Sequence, residues 1–110
     1  MKDVEQTIIL CLAICAHDGL VSKSEEDKIF DLATKAVGMD LNSFNVLVDR
    51  FFESADSLET LLNNVDDKLR ALNWAELAAS VDGLDVRENI ALQRCYQLVE
   101  GTVDLEMDNG

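Results

Sequence analysis

The chain contains no proline and only five glycines among its 110 residues. So few backbone breakers exclude a turn-rich β-sandwich and favour helices joined by short turns. Basic residues are also scarce, at nine Lys and Arg against 22 Asp and Glu, a net charge of −13. A phosphate backbone needs a basic footprint, so nucleic acid is not expected as a partner. The three cysteines, Cys11, Cys15 and Cys95, form no CxxC pair. An odd count without that spacing fits neither a disulfide framework nor a zinc ribbon. It fits reduced, buried thiols in a cytoplasmic protein. The longest apolar run, Ile8 to Ala16, spans nine residues. A membrane-spanning helix needs about 20, and Lys2 is offset by Asp3 and Glu5, so neither a spanning segment nor a targeting segment is expected.

What is present is a helical periodicity. The composition is 48% apolar with mean hydropathy +0.03, enough to bury a core in one domain. Val4, Ile8, Cys11, Leu12 and Cys15 share one helical face, with Asp3 expected as N-cap. Ser22 followed by Glu25 is a capping-box pattern opening a second helix. Ile29, Leu32, Ala33, Ala36 and Val37 form its stripe, and Gly38 ends it. A third helix is expected from Asn42 or Ser43, burying Phe44, Leu47, Val48 and Phe51, and a short one from Leu58 to Asn64. Asp66 or Asp67 starts a longer helix reaching about Val81, apolar nearly all round and therefore expected at the centre. Asp85 with Glu88 repeats the capping box, and Ile90, Leu92, Cys95, Leu98 and Val99 carry a last helix to Gly101. Residues 102–110 read as an acidic tail.

The chain also repeats itself. Asp18-Gly19-Leu20 matches Asp82-Gly83-Leu84 at an offset of 64 residues. Ser22 with Glu25 then matches Asp85 with Glu88, and Gly38 matches Gly101, at an offset of 63. Each unit is an apolar helix, a DG turn, a capping box, a second helix and a glycine. The first copy reads Ala16-His17-Asp18-Gly19-Leu20-Val21-Ser22-Lys23-Ser24-Glu25-Glu26, and the second reads Ser80-Val81-Asp82-Gly83-Leu84-Asp85-Val86-Arg87-Glu88. On these residues the chain resembles the tellurite-resistance TerB family and the related N-terminal domain of DjlA-type co-chaperones. The resemblance covers about residues 3 to 101, with Leu20 and Leu84 standing where the family commonly has an acidic residue. It implies an all-α bundle of six or seven helices built from two duplicated helical hairpins. It also implies a stress-response setting, and acidic residues near the turns that bind a divalent metal.

The chemistry follows from these positions. Asp18 and Asp82 at the turns, with Glu25, Glu26 and Glu88 on the following helices, are the candidate ligands for a hard cation such as Ca²⁺ or Mg²⁺. Each also has a purely structural explanation, since Glu25 and Glu88 complete capping boxes and Asp18 and Asp82 sit in tight turns. Glu76, inside the most apolar helix, is expected to pair with Arg70 or Arg94 or to lie partly exposed. His17 is the only histidine, and no nucleophile or E-x-x-H pair accompanies it. The leading expectation is a non-enzymatic interaction module binding a basic protein partner through its acidic surface, with no cofactor. The alternative is a divalent-metal-binding or metal-sensing domain. A helical enzyme using carboxylate chemistry ranks last.

Overall fold

The computed structural model describes the backbone of residues 2–16, 21–54, 56–81, 83 and 86–109, and the side chains of those from 3 to 100. Six helices and no strand occur among them: α1 (Lys2–Cys15), α2 (Lys23–Val37), α3 (Leu41–Glu53), α4 (Leu58–Asn63), α5 (Lys68–Ala79) and α6 (Val86–Asn109). The radius of gyration is 13.8 Å, near the roughly 13 Å of a compact chain of this length. No described helix is long and apolar enough to cross a membrane.

The apolar run beginning at Ile8 makes α1 the axis of the bundle. Ile8, Leu10, Cys11, Leu12, Ile14 and Cys15 are fully buried, and every other helix packs against α1. Packing from the other helices leaves only Asp3, Glu5, Gln6 and Ala13 of its described side chains half-exposed, so α1 needs little polar face. Its one buried hydroxyl, Thr7, donates to the Asp3 carbonyl at 2.8 Å. α5 is the principal neighbour. Its buried Ala71, Ala75, Ala78 and Ala79 let the two backbones approach until the Cys11 thiol donates to the Ala71 carbonyl at 3.8 Å.

The helix ends follow local side-chain chemistry. Ser22 and Glu25 form a complete capping box at the start of α2, and Gly38 closes the helix in the left-handed region at φ 67°. Asp40 caps α3, two to three residues before the expected start at Asn42 or Ser43, by accepting the Ser43 N–H at 2.7 Å. Ser57 and Asp67 cap α4 and α5.

Four expectations need correction. Asp3 lies within the first turn of α1 and does not cap it. Its carboxylate reaches across to α5, accepting the Asp66 N–H and the Arg70 guanidinium, both at 2.7 Å. Arg70 in turn lies over the Trp74 ring. α5 is not buried all round: Leu69 and Leu77 are exposed, and Glu76 takes the exposed alternative of its expectation, while Arg70 and Arg94 pair with Asp3 and Glu59. Ile90 and Leu98 face outward, and α6 packs through Ala91, Leu92 and Cys95. α6 also continues past Gly101 to Asn109, because a lone glycine weakens a helix without stopping it.

Candidate functional site

Three buried groups converge where the end of α1 meets the starts of α2 and α6. The Cys15 sulfur and a carboxylate oxygen each of Glu25 and Glu88 lie within 4.8 Å of one another. Their residues are 0%, 4% and 3% exposed. Cys15 is carried there by the apolar face of α1. Glu25 is held by its cap, where it accepts the Ser22 N–H at 2.9 Å while its own N–H donates to the Ser22 hydroxyl at 3.1 Å. Glu88 stands in the first turn of α6, where the helix dipole favours a negative charge.

Electrostatics set the state of the thiol. Burial raises the Cys15 pKa well above its ordinary value, and the negative charge of Glu25 adds to the effect. Cys11, Glu88 and a hydrogen bond to Glu25 push the same way. Cys15 is therefore a neutral thiol near pH 7 and a poor nucleophile. Burial also raises Cys11 and Cys95. Two carboxyl oxygens and a sulfur, screened from water, form a set of donors for a cation. Such a donor set suits a borderline ion such as Zn²⁺, which accepts sulfur and oxygen together. It is poorer for Ca²⁺, which takes about six to eight oxygens.

Of the sequence candidates, Glu25 and Glu88 are brought together. Glu26, the next residue on α2, is half-buried and not part of the cluster. Asp18 and Asp82 lie outside the described residues, as do His17, Leu20, Leu84 and Asp85. Sequence reasoning missed Cys15 as a donor. The signal was its position three residues before Asp18, at the point where the second unit has Ala79. The described pockets elsewhere are open. The one lined by Asp3, Gln6, Asn64 and Asp66 is polar, and its Asp3 carboxylate is already engaged by Asp66 and Arg70. No family model, curated protein or solved structure matches the chain.

Proposed function

We propose that the chain is a non-enzymatic module that takes a divalent cation at Cys15, Glu25 and Glu88. The sequence alone ranks a partner-binding module first, and the meeting of the three buried donors reverses that order. In this reading α1–α2 and α5–α6 are two copies of one TerB-like hairpin, and Glu25 and Glu88 are the matching capping-box positions. The cation joins the two copies and relieves the repulsion between their carboxylates. Cys15 supplies the third donor, losing its proton as the metal binds. Reduced buried thiols fit a cytoplasmic protein.

Thermal unfolding with Zn²⁺, Mn²⁺, Ca²⁺ or Mg²⁺ tests the reading. At a hundredfold excess over the dissociation constant, binding adds about 2.7 kcal/mol, a rise in melting temperature on the order of 10 °C. The largest shift is expected with Zn²⁺. Glu25→Gln and Glu88→Gln are expected to remove it while the metal-free protein still folds, since glutamine also serves a capping box. Unchanged melting with all four ions overturns the proposal.

A second reading keeps the acidic surface as the functional part. The observation favouring it is a −13 chain that exposes large apolar side chains, among them Leu41, Val46, Phe52 and Leu69. Such a surface suits a basic amphipathic partner, with charge steering the encounter and apolar groups holding it. A lysine-rich helical peptide titrated into the labelled protein would shift resonances on the acidic faces. The shifts would collapse near 1 M salt, where screening acts within about 3 Å. Shifts that persist at high salt, or that map to a basic patch, contradict this reading.

A further inference from the structure

α6 is tied to the bundle by little apolar surface. Of its described side chains, Glu88, Ala91, Leu92 and Cys95 are buried, and Tyr96 and Val99 are half-buried. Val86, Ile90 and Leu98 face outward. Where the first turn meets the core stands the Glu88 carboxyl, and burying a carboxyl stabilises far less than burying an apolar side chain. The Arg94–Glu59 ion pair is exposed on both sides and adds little to the docking of the helix.

The other two helices that meet at the Cys15–Glu25–Glu88 cluster are held independently of it. α1 is the axis of the bundle, with its apolar run fully enclosed. α2 buries Ile29 and Ala33 and lays Phe30 against Phe44 of α3, with ring centroids 5.2 Å apart. Its Glu25 is fixed by the capping box with Ser22. Cys15 and Glu25 therefore stay in place whether or not an ion is present, and Glu88 is the donor that can leave. A ligand shifts an equilibrium only as far as it prefers one state over the other. A cation that needs Glu88 beside Cys15 and Glu25 binds the docked α6 and not a released one.

We infer, resting on the cation site proposed above, that α6 is a gate: the ion latches it through Glu88, and without the ion α6 opens ahead of the rest of the bundle, uncovering Leu92 and Cys95. Cys95 reports the opening because its thiol is fully buried on the inner face of α6, whereas Cys11 is closed between α1 and α5. The reduced full chain is alkylated with iodoacetamide in EDTA or in excess Zn²⁺, and the rate at each thiol is read by peptide mapping. In EDTA, Cys95 is expected to react at least about tenfold faster than Cys11, since it needs only a local opening. Its rate is expected to rise less steeply with urea, because one released helix exposes less surface than global unfolding. Zn²⁺ at a hundredfold excess over its dissociation constant is expected to slow Cys95 about a hundredfold. Glu25→Gln and Glu88→Gln are expected to abolish that slowing. Equal rates and equal urea slopes for Cys95 and Cys11 in EDTA overturn the gate. So does a Cys95 rate that Zn²⁺ leaves unchanged while calorimetry shows the ion bound. Calorimetry that shows no bound Zn²⁺ removes the cation site itself, and the gate with it.

Discussion

Cys15 shows how much one side chain alters the reading of a repeated motif. Its periodicity marks it as core, and it is core, yet its sulfur also lies within 4.8 Å of oxygens of two carboxylates that the repeat alone brings to notice. No pattern along the chain measures the distance from α1 to the first turns of α2 and α6. Asp3 teaches the same lesson, because capping chemistry predicted its local role and the contact with α5 replaced it. Asp3→Ala is expected to cost about 1–3 kcal/mol in denaturant titration, since it leaves the half-buried Arg70 charge and the Asp66 N–H without that carboxylate. The thiols make a second prediction. Cys11, Cys15 and Cys95 all have raised pKa values in the folded state, chiefly from burial. A raised folded pKa contributes stability that is complete below the unfolded value, about 8.5 for cysteine, and is lost as pH rises above it. Urea midpoints should therefore hold steady from pH 7 to 8 and fall above about pH 9. A midpoint that rises there contradicts the burial of the thiols.

Among the elements, those with a strong cap and a one-sided stripe were legible. α2 is the clear case, with Ser22, Glu25, Ile29, Ala33 and Gly38 all in their expected roles. The failures lie where apolar residues cover more than one face. On α5 and α6, composition could not tell which of Leu69, Leu72, Leu77, Ile90 and Leu92 faces inward, and only Leu72 and Leu92 do. Packing makes that choice, since Leu72 is buried with the four alanines of α5 while Leu69 and Leu77 are left exposed. Substitution should report the difference directly. Ile29→Ala is expected to lose about 2–5 kcal/mol, the cost of a buried cavity, whereas Ile90→Ala should fall within about 0.5 kcal/mol of wild type. At the end of α2 a methyl group at Gly38 meets open space, so only the left-handed backbone opposes it. Gly38→Ala should cost about 1–2 kcal/mol and Gly38→Asn less, in thermal melts of otherwise identical proteins.

For the molecule as a whole, the all-α class was written in the absence of proline and in the helical stripes, and the centrality of α1 in its apolar run. The candidate site was legible in part, because Glu25 and Glu88 stood out as matching positions while the third donor depended on packing. A net charge of −13 repels itself across a compact bundle, so modest salt should raise the melting temperature until screening is complete. The proposed cation acts on the same repulsion at one point, which separates it from general screening by its stoichiometry and by its dependence on three side chains. Calorimetric titration of the reduced protein with Zn²⁺, repeated in buffers of different ionisation heat, tests this most directly. One ion per chain is expected, with a proton released as Cys15 deprotonates and most of the affinity lost in Glu25→Gln, Glu88→Gln and Cys15→Ala. Absence of binding heat, or binding that these three substitutions leave unchanged, would contradict it.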